Sequence, residues 1–319
     1  MGPVPFVDHF LAEPLDRVPA RRPGSLRRTS SVDMVGRDDG TILLLGAAVD
    51  PHGAAASCRA VVAADRGLLS LEADPVIAGS DMLIGRPVGR GFRALVDSLC
   101  PPGTLASVLL CELPVAALLS GYGSLYTGHY PSPIPDSFLD HLPVDICAGW
   151  VASGSFMTQI RSSRDMPTPA GPVSPGDGTG DGIGDGIGDG GGTGAAWHAM
   201  PPLEPGSMRR QRLIERDGSA VWAMFRDSYA RPDGVVTVLH EYSVAATLTP
   251  GGQRVAACVA TPRVLPWDEC PGAASSAGRL VGRRVADLRA LVKDELVGTS
   301  TCTHLNDLLA SLSQADHLV

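Results

Sequence analysis

The chain has 319 residues and a mass of 33.1 kDa, a length for about two domains. Its formal net charge of −8 argues against a nucleic-acid surface, and it has no apolar run of the roughly 18 residues that a membrane helix needs. A hydrophobic fraction of 44% with only 5% aromatic residues predicts a sizeable core built from Ala, Val and Leu.

The opening "MGPVPFVDHFLAEPLDR" lacks a basic start followed by an apolar stretch, so it is not read as a secretory signal. Phe6 stands where a myristoylation signal has Ser or Thr. Seven scattered cysteines read as reduced thiols in a cytoplasmic protein rather than a disulfide framework. Residues 1–24 are read as an N-terminal extension.

Residues 25–121 form a first unit. "DGTILLLGAAV" predicts a β-branched and aliphatic strand, "PHG" a turn, and "SCRAVVA" a second strand containing Cys58. "LIGRPVGRGFRALVDSL" and "ELPVAALLS" then read as helices. Residues 122–163 are an aromatic and Pro-rich connector containing His129, His141, Cys147 and Trp150, either a packed link or one wall of a pocket. Residues 164–205 contain "GDGTGDGIGDGIGDGGGTG", a composition that cannot bury enough apolar surface to offset its ordering entropy, so they are expected to be a disordered linker. Asp177, Asp181, Asp185 and Asp189 recur every four residues, not with the nine-residue period of calcium-binding solenoids.

Residues 206–319 repeat the script. "DGVVTVLHEYSV", the turn "PGG", "ACVAT" with Cys258, and "LVGRRVADLRALVKDEL" match their counterparts in the first unit. The expectation is an α+β protein of two tandem copies, each a small antiparallel sheet with helices on one side. A monomer acting as a pseudo-dimer, or a homodimer, would follow from such a duplication.

The copies differ where chemistry would sit. Leu305, Leu308, Leu309 and Leu312 form an apolar helical stripe that needs neither Cys302 nor His304. Both stand at the predicted helix start, where unpaired N–H groups and the helix dipole favour thiolate. Cys270 precedes Pro271, a residue suited to a helix's first turn, so it too is placed at a helix start. Aligning Leu113 with Leu305 puts Glu112 and Leu110 in the places of His304 and Cys302. Cys302 and His304 are therefore the candidate catalytic pair, and Cys270, Cys302, His304 and Asp227 the candidate metal ligands. Asp227 and Asp233 also read as turn residues, and Asp233 as a further ligand. His240 and Glu241, adjacent on a strand, point to opposite faces; either one of them faces the site or the two are an exposed edge-strand pair. A single zinc or iron ion fits thiolate, imidazole and carboxylate donors. No nucleotide cofactor is expected, because no phosphate loop, Gly-x-Ser-x-Gly elbow or His-Glu-x-x-His is present.

"ECPGAASSAGRLVG" followed by "TCTHLNDLLASL" resembles the bacterial family known as domain of unknown function 2889, over residues 222–314 and more weakly over 25–120. A more distant likeness is to the iron–sulfur scaffold fold. That likeness implies Cys270, Cys302 and His304 as ligands, with Asp227 or Asp233 in place of its early-strand residues. Three functions remain open from sequence. The first is an enzyme of lyase, isomerase or hydrolase type on a largely apolar, aromatic or terpenoid-like small molecule. The second is a metal or iron–sulfur carrier, and the third a non-catalytic binding module.

Overall fold

The computed structural model describes residues 6–123, 132–176 and 196–318. Its centre is one nine-stranded antiparallel sheet. The strands are β1 (Phe6–Val7), β2 (Leu11–Ala12), β3 (Leu26–Gly36), β4 (Ile42–Val49), β5 (Ala55–Val62) and β6 (Leu68–Asp74) in the first half. They are followed by β7 (Thr168–Pro169), β8 (Met208–Asp217), β9 (Ala220–Ala230), β10 (Val236–Leu248) and β11 (Val255–Leu265). The sheet runs β2-β11-β10-β9-β8-β3-β4-β5-β6, and β1 pairs separately with β7. Among the described residues, no helix is long and apolar enough to cross a membrane.

The two expected sheets are thus one sheet. β3 and β8 pair antiparallel from Leu26–Arg216 to Met34–Met208, centred on Ser30–Arg212. From that seam β3 to β6 run outward one way and β8 to β11 the other. This order corrects part of the sequence matching. By position in the sheet, the hairpin holding Asp39-Gly40 stands opposite that holding Asp217-Gly218, not Asp233-Gly234. Cys58 lies on β5, whose counterpart is β10, whereas Cys258 lies on β11. The sequence shift arises because the β3–β4, β8–β9 and β9–β10 hairpins carry the same turn chemistry, an Asp before a glycine with positive φ. Gly40 and Gly234, at φ 78° and 83°, both meet that need.

Helices cover one face. Over β3–β6 lie α1 (Phe92–Leu99) and α2 (Leu105–Leu119), joined in a core containing Leu44, Phe92, Leu110 and Leu113. Over β9–β11 lie α3 (Ser155–Ser163), α4 (Leu288–Glu295), α5 (Thr303–Ser311) and the 3-10 stretch Cys270–Leu280, in a core containing Phe225, Tyr242, Leu305 and Leu308. Thr104 caps α2 by accepting from the Ser107 N–H. α2 and α5 each send a carboxylate, Glu112 and Asp307, to Arg212 of β8.

The other face is closed by segments that the sequence placed in the extension and linker. Val18 and Trp197 pack with Leu213 and Met224, β2 pairs with β11, and Ser174 N–H donates to Val236. Residues 164–176 and 196–205 are therefore part of the packed structure. Asp177, Asp181, Asp185, Asp189 and His129 lie outside the described residues.

Candidate metal centre in the second half of the chain

The site starts from an irregularity in β10. Its pairing with β9 runs Val238–Ser228 and then His240–Asp227, so one extra residue, Leu239, is inserted on β10. Such a bulge turns consecutive side chains to the same side. Leu239 accordingly joins the core under α1 and α2, while His240 also turns to the helix layer and stacks on His304. Glu241 points to the opposite face, accepting from Arg226 Nε at 2.6 Å and from the Leu15 N–H at 2.7 Å.

His304 arrives from above. Cys302 is the N-cap of α5, so the helix begins where the sequence put it. Two residues on, within the first turn, His304 lays its ring 3.9 Å from that of His240 with 18° between the planes. Phe225 backs it, with ring centroids 6.3 Å apart. Directly across the β9–β10 pair, Asp227 Oδ2 lies 3.6 Å from His240 Nδ1. That nitrogen is buried and has no hydrogen-bond partner. Asp227 is fully enclosed, whereas the His240 side chain is 17% exposed and can be reached from solvent. Among the described residues, Asp227, His240 and His304 form the one group of three metal-capable side chains whose ligand atoms all lie within 4.8 Å of one another.

A network of buried charges sits beneath this group. Arg210 Nη1 donates to both oxygens of Asp227, at 2.9 and 3.0 Å, and Nη2 donates to Asp307 at 3.2 Å. The Arg210 guanidinium also stacks 4.4 Å over Phe225. Arg212 reaches Asp307 and, at 2.8 Å, Glu112 of α2. Arg93 of α1 reaches Asp307 as well. The two halves of the protein are joined here by ion pairs among side chains that are almost all buried.

Burial sets the protonation states. It lowers the His304 imidazole to about 3, with Arg210 pushing the same way and Asp307 opposing. It holds His240 well below its usual value, helped by His304, His9 and Arg210. Both rings are neutral at pH 7, the form that offers a lone pair to a metal. Burial raises Asp227 to about 7 despite Arg210. A cation bound beside it would restore the carboxylate, because a nearby positive charge favours the ionised form.

The thiols behave differently from expectation. Cys302 lies beside His304, Sγ to Nδ1 4.0 Å, yet burial pushes its thiol up to about 11, against the Leu305 N–H that pulls it down. Desolvation outweighs the helix N-terminus, so Cys302 is a neutral thiol and the expected thiolate does not form. Cys270 also starts its helical stretch as expected, followed by Pro271. It is buried against Trp267 and Gly149, and Tyr242 donates to its carbonyl at 3.1 Å. Burial raises its thiol well above the usual range, as it raises that of Cys147. Of the four sequence-predicted ligands, Asp227 and His304 meet; Cys302 stands beside them and Cys270 apart. Asp233 closes a turn, accepting from Arg231 and the Val235 N–H. His141 is exposed, its ring bonded to the Ser137 carbonyl. A cavity of about 300 Å³ lined by Met200, Leu203, Arg209, Gln211 and Val236 opens away from the group.

Fold and site together define an antiparallel α/β protein with an imidazole–carboxylate cluster confined to its second half. Residues 208–317 match the family model described as a protein of unknown function (DUF2889). No curated protein and no solved structure matches the chain.

Proposed function

We propose that Asp227, His240 and His304 hold one divalent zinc or iron ion, and that the protein is a metal-dependent enzyme acting on a small molecule. The observation that carries this reading is the convergence of three donors within 4.8 Å, with both imidazoles neutral. Two histidines and a carboxylate suit zinc or ferrous iron, and three protein ligands leave positions for a substrate, as catalytic rather than structural sites do. An ion there supplies Lewis acidity, which serves lyase, isomerase or hydrolase chemistry. Arg210 occupies two of the roughly four lone-pair directions of the Asp227 carboxylate and leaves the rest for the ion, while fixing its orientation. The proposed substrate keeps an apolar, aromatic or terpenoid-like body, and its seat is not formed by Phe225 or Tyr242, which are both fully buried in the core. The carrier reading has less behind it, since Cys147, Cys270 and Cys302 do not close to the same mutual reach.

The mirrored strand order about the β3–β8 seam supports reading the chain as two versions of one unit. Aligning Leu113 with Leu305 puts Glu112 in the place of His304, and among the described residues the first half has no such donor group.

Elemental analysis of the purified protein tests the metal reading. Wild type and Cys270→Ser are expected to hold about one equivalent of zinc or iron, and His240→Ala and His304→Ala to lose it. Equal metal content in all four proteins would refute the assignment.

A further inference from the structure

The charges around the donor group say what kind of ligand the ion's open positions select; this step rests on the metal reading above. Three cations, Arg93, Arg210 and Arg212, face three carboxylates, Asp227, Asp307 and Glu112. The five of these other than Arg93 are all nearly or fully buried, and the Arg93 side chain is 32% exposed. As ion pairs, the three cations and three carboxylates match one for one. The stacked His240 and His304 add no charge, and His9 accepts from the Gly171 N–H at Nδ1 while its Nε2 lies 2.9 Å from the Leu239 carbonyl, as a neutral ring does.

A divalent ion would bring two positive charges into this matched set. The one carboxylate among its ligands already shares both oxygens with Arg210, and Asp307 is divided among Arg93, Arg210 and Arg212. An ordinary two-histidine, one-carboxylate centre keeps one uncompensated charge. Here Arg210 cancels the carboxylate as well, so nearly the full charge of the ion is left, in surroundings that screen it poorly. We propose that the loaded centre selects an anion, and that its substrate is a small organic acid whose carboxylate occupies the ion's open side.

Cobalt(II) serves as the probe ion, because its visible spectrum reports its ligands. The cobalt-loaded protein is titrated with benzoate and, separately, with benzamide, a neutral molecule of nearly the same shape. The expected result is a saturable spectral change with benzoate and none with benzamide at equal concentration. Glu112→Gln removes one negative charge from the network without touching the donors, and should tighten benzoate binding by roughly three- to tenfold. A cobalt spectrum that ignores benzoate, or responds alike to both molecules, overturns the anion inference while leaving the metal site standing. Failure of cobalt to bind at all overturns the metal reading and this inference with it. The contrast between benzoate and benzamide needs only the wild-type protein, so a Glu112→Gln chain that does not fold leaves the test intact.

Discussion

α2 and α5 lie on the same face of the sheet, one on each side of the β3–β8 seam, and bring opposite chemistry to it. α2 presents Leu110 to the core and Glu112 to Arg212; α5 presents Asp307 to the same arginines and His304 to His240. Both helices thus contribute a buried carboxylate to one network, and only the second adds an imidazole. The comparison teaches that the ion pairs draw on residues of both halves, while the donor group lies in the second alone. Stability should therefore depend on residues from both halves, and metal binding on the second alone.

The largest effect is expected from breaking the shared network. Asp307→Ala leaves Arg93, Arg210 and Arg212 with too few carboxylates and should cost about 3–5 kcal/mol in urea unfolding. Leu110→Ala, in the other helix and fully buried, should cost about 2–5 kcal/mol. If either variant unfolds like wild type, the helix concerned does not anchor the sheet.

A second, intermediate effect is on pH dependence in the metal-free protein. His304 has a folded pKa near 3, below the unfolded value of 6.5, so the unfolded chain binds more protons in between. Its contribution to stability is present above pH 6.5 and is lost as pH falls toward 3. The slope is about 1.4 kcal/mol per pH unit for such a histidine. Asp227 acts oppositely: with its pKa raised from 3.8 to about 7, its contribution is lost as pH rises through that range. His304→Gln should therefore be less sensitive to acid than wild type between pH 6 and 4, by up to that slope. An unchanged slope would mean His304 is solvated and titrates normally.

The smallest effect separates the thiol from the imidazole. Cys302→Ser should lower stability by only about 1 kcal/mol and leave the bound ion in place, since Sγ lies outside the donor group. Loss of metal in this variant would return the thiol to the ligand set.

Much of this was readable in the amino-acid order. The Asp-Gly turns, the apolar strands, the start of α5 at Cys302 and the placing of Cys270 before Pro271 all follow from local chemistry, and local chemistry leaves a local pattern. Asp227 and His304 stand out in the sequence for their donor types, and the fold brings them together. His240 could be named but not assigned, because the Leu239 bulge has no signature in "VVTVLHEY". The joining of two expected sheets into one was equally hidden, since edge pairing of β3 with β8 uses backbone groups that every residue carries. Arg209, Arg210 and Arg212 stand close together in "MRRQRL". In the sheet they alternate, Arg209 pairing with Asp33 on one face and Arg210 and Arg212 entering the buried network on the other. The thiolate expected at Cys302 failed because a helix terminus acts locally while burial depends on everything packed around it.

The most direct test of the central claim is a crystal structure of the metal-loaded protein with anomalous scattering recorded at the metal edge. The account predicts one peak within about 2.0–2.2 Å of one atom each from Asp227, His240 and His304. A peak at Cys270 or Cys302 instead, or none among these residues in protein shown to carry metal, would contradict it.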